Sequence, residues 1–305
     1  MPHDHHGHHH HIDPDAGDAR VAWAVVVNVA LTVAQIVGGL LSGSLALIAD
    51  ALHNFSDAVA LVIAFAARKI ARRPADGQMS FGYGRIEVVA ALINYTTLIV
   101  IALYLVYEGI FRFFQPQPVD GWLVVWIAAI ALLVDLVTAV LTYSMAKDSM
   151  NIRAAFLHNL ADALGSVAVI VAGTLVILYQ WTWVDPLVTL LIAGYILWHV
   201  KSEIGGVIRV LMLGLPDGLK MDEVIAEIRA MRGVQDLHHV HLWQMQEHQP
   251  AFQAHVVVSD ADWAGAETIR SDIKTRLMRR FGIDHATLEL ESRANGCVGA
   301  RVIGH

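Results

Sequence analysis

The chain has 305 residues, of which 56% are hydrophobic and only 16% are charged, and its mean hydropathy is +0.51. Soluble domains carry about 25% charged residues, so this composition is typical of an integral membrane protein in a lipid bilayer. The net charge of −7, without a basic helix or a basic–aromatic pattern, excludes nucleic acid as an expected partner. The single cysteine, Cys297, can form neither an internal disulfide nor a metal site built from cysteines.

The N-terminal segment is rich in histidine. Seven of the 17 histidines lie among the first 11 residues. Because His-rich tracts bind metal ions, we expect residues 1–20 to form a disordered cytoplasmic tail that captures metal. An expression tag is the alternative interpretation of this tract.

Six apolar runs follow, each close to the roughly 20 residues that a helix needs to cross a bilayer. Short segments with glycine, proline or charged residues separate them. The sequence therefore predicts an all-α transmembrane domain of six helices within residues 21–210. The predicted spans are Val21–Leu41, Leu45–Ala67, Ile86–Phe111, Trp122–Ala146, Ala154–Tyr179 and Val184–Val200.

Basic residues predict the orientation of these spans. Lys and Arg concentrate between the second and third spans, between the fourth and fifth, and after the sixth, with Arg112 as an exception. Loops rich in Lys and Arg stay in the cytoplasm. With an even number of spans, both termini are expected on the cytoplasmic side.

The C-terminal part changes character after Gly218, where shorter periodic segments replace the apolar runs. Their order, α-β-β-α-β, predicts a small α+β cytoplasmic domain over residues 215–292, followed by a patternless tail, 293–305. The predicted elements are a helix at Met221–Met231, strands at Val234–Trp243 and Ala251–Asp260, a helix at Ala264–Phe281 and a strand at His285–Glu291.

A His–Asp pair interrupts the second span, and nearly the same pair interrupts the fifth. The second span reads LHNFSDA, with His53 and Asp57, and the fifth reads LHNLADA, with His158 and Asp162. Residues four apart share one face of a helix. Since a charged group at the bilayer centre costs at least ~2.5 kcal/mol, we expect both pairs to belong to a functional site. Two imidazoles and two carboxylates that converge on one ion form a tetrahedral set suited to Zn²⁺.

Other interpretations of these pairs remain. Each could be a local hydrogen bond that joins helices, although the repeat of H-N-x-x-D-A in two helices argues against this. An intramembrane metalloenzyme would need an open zinc position and a nearby base, and no HExxH motif is present. We therefore expect an ion pathway rather than an enzyme. A metal sensor would need a signalling module. Asp135 is either a relay residue or a helix–helix hydrogen-bond partner, and Asp50 is expected to line a cavity.

Five motifs along the chain are diagnostic in combination: SLALIADALHNFSDAVAL, SFGYGRIEVVAALIN, HNLADALGS, WVDPL and LPDG. Together they resemble the cation diffusion facilitator family of zinc transporters, over nearly the whole chain. The resemblance implies a homodimer in a bacterial inner membrane that exports Zn²⁺ from the cytoplasm in exchange for protons, by alternating access. It also implies that the cytoplasmic domain dimerises and binds zinc.

The resemblance also implies the identity of the ligands. Family members with histidine at the position of His53 prefer zinc, and those with aspartate there are broader. Imidazole suits zinc, so His53 favours it, with a broader cadmium, cobalt, nickel, iron or manganese antiporter as the alternative. In the cytoplasmic domain, the implied zinc ligands are His238, His255, His285 and Glu291. Strand alternation puts His239 on the opposite face from His238.

Overall fold

The structure is a computed structural model that describes residues 29–143, 150–246, 249–294, 296–297 and 299–304. For residues 61, 141–143 and 150–159 it describes the backbone alone. The His-rich segment, residues 1–20, lies outside the described residues. The chain divides into two compact units: one comprises Met1–Val62 with Thr96–Val200, and the other comprises Ile63–Tyr95 with Lys201–His305.

Five helices in the described residues are long and apolar enough to cross a membrane. A further helix, α1, is described over Val29–Ser42, and the first eight residues of its predicted span lie outside the description. The predicted helical transmembrane domain is confirmed, and the last helix extends past the predicted end at Val200. The five helices are α2 (Leu45–Ala71), α3 (Ile86–Phe114), α4 (Gly121–Tyr143), α5 (Met150–Tyr179) and α6 (Val184–Leu211).

The faces of these helices match a lipid solvent. Large apolar side chains such as Tyr107, Trp126 and Leu133 are exposed, which lipid tolerates and water would not. Alanines fill the buried side of the first unit, where Ala46 and Ala49 of α2 and Ala193 of α6 are fully buried. Small residues let helix backbones approach closely, which is how membrane helices pack without a hydrophobic driving force.

The C-terminal domain confirms the predicted order α-β-β-α-β. In its three-stranded sheet β2 is central, antiparallel to β1 and parallel to β3. Phe252, Ile228, Ile273 and Leu277 are fully buried in its core. The elements are α7 (Met221–Arg229), β1 (Val234–Gln246), β2 (Gln249–Val258), a short 3₁₀ turn (Trp263–Gly265), α8 (Ala266–Phe281) and β3 (His285–Ser292).

The tail after β3 is ordered against the sheet, although the sequence shows no pattern there. The backbone N–H of His239 donates to the carbonyl of Arg301 at 3.0 Å, and that of Val240 donates to Val302 at 2.9 Å. Ile303 forms an isolated parallel bridge with Val240. The tail therefore covers the edge of β1 and brings Cys297 back towards the sheet.

Within the second unit, the loop between α2 and α3 contacts the sheet at the end of β1 where Gln246 lies. Arg85 donates from Nε to the carbonyl of Met245 at 2.7 Å. The Phe81 ring stands edge-on to His285, with 6.3 Å between the ring centroids. His285 thus lies beside this loop, at the start of β3.

Candidate metal sites

The first candidate site brings together side chains of α2 and α5. Nε2 of His53 lies 3.6 Å from Oδ2 of Asp57 and 3.5 Å from Oδ1 of Asp162. One ligand atom from each of the three residues lies within 4.8 Å of the others. Asp162 is buried, and His53 and Asp57 are largely buried. The i, i+4 spacing on α2 places its pair on the face towards α5, as the sequence predicts.

The distances in this cluster match a metal site better than a hydrogen-bonded pair. A charge-assisted N–H···O bond is about 2.7–2.9 Å long, shorter than either separation here. Zinc–ligand bonds of about 2.0–2.1 Å at tetrahedral angles put neighbouring ligand atoms roughly 3.3–3.4 Å apart. The two nitrogen–oxygen separations are therefore close to the edge length of a tetrahedron of ligands around one ion.

The fourth predicted ligand, His158, lies in α5 one turn before Asp162. Its side chain is outside the described residues, so its contribution to the cluster stays a prediction. The i, i+4 spacing that puts His53 and Asp57 on one face of α2 also puts His158 on the same face of α5 as Asp162.

A buried polar network borders this cluster. Asp50 is 3% exposed and accepts a hydrogen bond from Nε2 of Gln35 at 2.7 Å, while Asn54 donates to Oε1 of Gln35 at 3.3 Å. These bonds tie α1 to α2. Asp50 is therefore a member of a buried hydrogen-bond network, and the expectation that it lines a cavity stays a prediction. Asp135 accepts a hydrogen bond from Ser166 at 3.1 Å, which links α4 to α5.

The second candidate site lies in the C-terminal domain, where two overlapping groups share His255. One group contains His238, His239, His255 and Cys297, and the other contains His255 with Glu289 and Glu291. The His239 and His255 ring centroids are 4.8 Å apart.

Glu291 organises the second site. Its Oε1 is 2.6 Å from Nδ1 of His255, and its Oε2 is 3.2 Å from Nε2 of His238. The backbone N–H of Cys297 donates to Oε2 at 3.1 Å, and the Cys297 thiol lies 3.5 Å from Oε1. A carboxylate in this position can orient imidazoles towards an ion or bind the ion itself.

Strand alternation is wrong at His239. A β-bulge interrupts the pairing of β1 with β2 between His238 and His241. His239 adopts a φ of 48°, which is uncommon for a residue other than glycine. A bulge adds an unpaired residue and redirects side chains, so His238 and His239 both face His255. The bulge leaves no recognisable signal in the sequence beyond the adjacent histidines themselves.

Cys297 lies beside the imidazoles of this cluster, a contact that the sequence did not predict. A lone thiol excludes a site made of cysteines, but it does not exclude a mixed site. The returning tail brings Sγ to 3.9 Å from Nδ1 of His255. Only the tertiary structure brings the thiol and the imidazoles together, because the tail shows no periodic pattern.

His285 does not join this cluster in the chain described. In the parallel pairing of β2 with β3, His285 is opposite Ala251, whereas Glu289 is opposite His255. Four residues of strand separate the two positions, about 13 Å. The strand register therefore does not support His285 as a ligand of the same ion as Glu291. Glu289, rather than His285, is the residue of β3 that lies opposite His255.

Electrostatics at the second site favour an ionised carboxylate beside a protonated thiol. Burial raises the pKa of Glu291, but hydrogen bonds from His255 and Cys297 outweigh it, so the pKa lies below its ordinary value. Desolvation and the Glu291 carboxylate raise the pKa of the Cys297 thiol. A metal ion that binds this sulfur must therefore displace a proton.

Comparison with known proteins identifies relatives of both parts of the chain. The family description "Cation efflux transmembrane domain" matches residues 21–212, and "Cation efflux protein, cytoplasmic domain" matches residues 216–293. The "Cadmium, cobalt and zinc/H(+)-K(+) antiporter" of Bacillus subtilis is 36% identical, over 86% of this chain and 85% of the relative. The zinc transporter ZitB of Pectobacterium atrosepticum is 35% identical, over 93% of this chain and 88% of the relative.

Among solved structures, the metal-bound C-terminal domain of the CzcD transporter from Cuprividus metallidurans is 29% identical. The match covers 24% of this chain and 99% of that one, with a TM-score of 0.23. The transmembrane match alone spans well over half of the chain, and the relatives align along most of their lengths. This chain is therefore an integral membrane protein that belongs to the cation efflux, or cation diffusion facilitator, family of metal transporters.

Proposed function

We propose that the protein exports Zn²⁺ from the cytoplasm in exchange for protons, through a His₂Asp₂ site formed by His53, Asp57, His158 and Asp162. The observation that carries the proposal is the set of distances from Nε2 of His53 to the two carboxylates. Those distances are too long for strong hydrogen bonds and close to the edges of a zinc tetrahedron.

Each residue type has a part in binding and release. The carboxylates of Asp57 and Asp162 together balance the charge of a divalent cation in a segment where net charge is costly. The imidazole of His53 prefers zinc over harder ions such as manganese or magnesium. The ligand atoms of His53, Asp57 and Asp162 lie within 4.8 Å of one another, an arrangement suited to the carriage of an ion.

Proton exchange follows from the same ligands. Metal ligands must be deprotonated to bind, so zinc entry releases any proton that the empty site held. Histidine changes charge between about pH 5 and 8, the range in which membrane pH gradients act. An alternating-access cycle that opens the site to one side and then the other would return protons inward as zinc leaves.

The test is zinc flux in proteoliposomes that hold a proton gradient as the only driving force. We expect zinc to accumulate on the acidic side and the flux to fall at least about tenfold when an ionophore collapses the gradient, since a bound His proton must be exchanged in each cycle. Undiminished flux without a gradient would contradict proton coupling. No flux under either condition would contradict transport.

Broader metal selectivity is the second candidate, because one relative is named for cadmium and cobalt besides zinc. Cadmium and cobalt also accept imidazole and carboxylate ligands, so the site chemistry alone does not separate them from zinc. Competition in the same vesicles distinguishes the candidates. A zinc-preferring site is inhibited far more by unlabelled zinc than by equal cadmium or cobalt, whereas a broad site is inhibited equally.

For the cytoplasmic domain we propose a resident zinc ion held among His238, His239, His255 and Cys297. Nε2 of His238 is buried and has no hydrogen bond of acceptable geometry in the described part of the chain, although Glu291 is 3.2 Å away. A buried nitrogen of this kind fits a metal ligand. Glu291, 2.6 Å from Nδ1 of His255, would then orient the ring and leave Nε2 to bind the ion, with Glu289 beside it.

The assembly and orientation proposed here follow the family resemblance. We expect a homodimer in the bacterial inner membrane, with both termini in the cytoplasm. The placement of Lys and Arg supports this orientation. Light scattering of the detergent-solubilised protein should give twice the 33.4 kDa chain mass after subtraction of the detergent. A chain mass of one copy at micromolar concentration would contradict the dimer.

A further inference from the structure

A buried carboxylate on α6 caps the start of α2. Asp185 is 2% exposed and lies in the first turn of α6. Its Oδ2 accepts the backbone N–H of Leu45 at 2.7 Å and that of Ala46 at 3.4 Å, and its Oδ1 accepts the hydroxyl of Ser44. The first N–H groups of a helix have no partner within the helix, and negative charge is favourable there. Asp185 supplies both from a different helix.

The surroundings make this cap hard to replace. Leu45 and Ala49 of α2, Leu105 of α3 and Ala193 of α6 form one buried cluster beside it. Removing an acceptor from such a place leaves buried N–H groups unpaired, which disfavours this arrangement of the two helices. The carboxylate therefore holds the start of α2 in one position relative to α6.

Two further hydrogen bonds, from outside α2 and α6, hold the turn before α2. Arg112 of α3 donates to the carbonyl of Gly43 at 2.7 Å, and the backbone N–H of Asp120 donates to Ser42 at 2.8 Å. Gly43 has a φ of 72°, and a side chain there would meet the carbonyl of Pro118. This also accounts for Arg112, the basic residue that departs from the orientation pattern. The turn is thus an anchor shared by α3 and α6.

We propose that Asp185 is a positioning residue for the transport site, acting through α2. The proposal rests on the proposed role of His53 and Asp57 in binding the transported ion. His53 follows Leu45 by eight residues, about 12 Å along a rigid helix, so movement at the cap is carried to the site. Misplacement by about 1 Å can lower the rate of a positioned reaction roughly 100-fold. The affinity of a metal site depends in the same way on the positions of the ligands that surround the ion.

The test compares Asp185→Ala, Asp185→Asn and Ser44→Ala in a parent that lacks the cytoplasmic ligands His238 and Cys297. The readouts are the KM and maximum rate for zinc in proteoliposomes and the visible absorption of bound Co²⁺, which reports tetrahedral coordination. The control is Thr189→Ala. Thr189 is buried one turn after Asp185 in α6, and its hydroxyl donates to the carbonyl of Asp185 rather than to α2.

We expect Asp185→Ala to raise KM at least about tenfold and to weaken the tetrahedral Co²⁺ band, through displaced ligands. Asp185→Asn should stay within about threefold of the parent, because its amide can accept from Leu45 and donate to Ser44. Ser44→Ala, which removes one of the donors, should lie between them and remains informative if Asp185→Ala does not fold.

Two results would overturn the inference alone: parent-like KM and Co²⁺ absorption in Asp185→Ala or Ser44→Ala, or equal damage from Asp185→Asn and Asp185→Ala. Equal damage from Thr189→Ala would indicate a general packing defect and would also overturn it. A parent that neither transports zinc nor binds Co²⁺ in the membrane would overturn the proposed function first, and this inference with it.

Discussion

Asp57→Asn and Asp162→Asn are each expected to lower zinc transport by at least about 100-fold. Loss of a group that merely supports a metal ligand costs about 10–100-fold, so loss of an anionic ligand should cost at least the upper end. The amide keeps the size of the carboxylate but removes the charge that balances the cation. Both oxygens lie within 3.6 Å of the His53 nitrogen, so each carboxylate is placed to bind the same ion.

The measurement is the initial rate of zinc uptake into vesicles with a fixed pH gradient, normalised to the amount of folded protein. Ser56→Ala is the matched control, because Ser56 is buried next to Asp57 and its hydroxyl has no hydrogen-bond partner among the described residues. It should keep a rate within about twofold of the wild type, since its loss removes no hydrogen bond. If either Asn variant transported zinc as well as Ser56→Ala does, the carboxylates could not be ligands of the transported ion.

The second large effect is expected in the cytoplasmic domain. His238→Ala combined with Cys297→Ser should weaken zinc binding there by at least about 100-fold, because two direct ligands are lost. Cys297→Ser alone should abolish the thiolate-to-metal charge-transfer absorption of the Co²⁺ form, since the hydroxyl of serine is a poor ligand for soft metals. Titration of the purified full-length protein with Co²⁺ and Zn²⁺ gives both quantities.

His285→Ala is the control that separates the two ligand sets. The family resemblance makes His285 a ligand, whereas the strand register puts it about 13 Å along β3 from Glu289. Zinc affinity that is unchanged in His285→Ala would support the cluster around Cys297. A large loss in His285→Ala with no loss in Cys297→Ser would show that the ion binds elsewhere, for example between two copies of the chain.

The membrane part shows why some features can be predicted from sequence alone. Its helices are apolar over about 20 residues. In lipid such a segment is stable as a helix, because the helix satisfies every backbone N–H and C=O group with hydrogen bonds of its own. The pairing of His53 with Asp57 follows from the helical repeat. The resemblance between two such pairs then predicts that α2 and α5 meet. Local periodicity was sufficient for the helices and for each pair, and the repeated motif was needed to predict that the two helices meet.

The limits of sequence appear where contacts come from distant segments. Asp185 looks like an ordinary polar residue at a helix start, yet its role depends on α2, 140 positions away. Similarly, strand alternation predicts that His238 and His239 lie on opposite faces of the sheet, whereas a single bulge in β1 brings both towards His255. Neither feature has a local pattern, because each depends on which elements become neighbours.

The sequence by itself determined the class of protein, the apolar helices, the order of the C-terminal elements and the His–Asp pairs of the proposed transport site. These depend on hydropathy and on repeats of 3.6 and 2 residues, which act over a few neighbouring positions. The tertiary structure alone decided that Cys297 and His239 join the cytoplasmic cluster, that His285 stands apart, and that Asp185 caps α2. Those outcomes depend on strand register, a bulge and a returning tail, whose energies come from long-range contacts that local sequence does not encode.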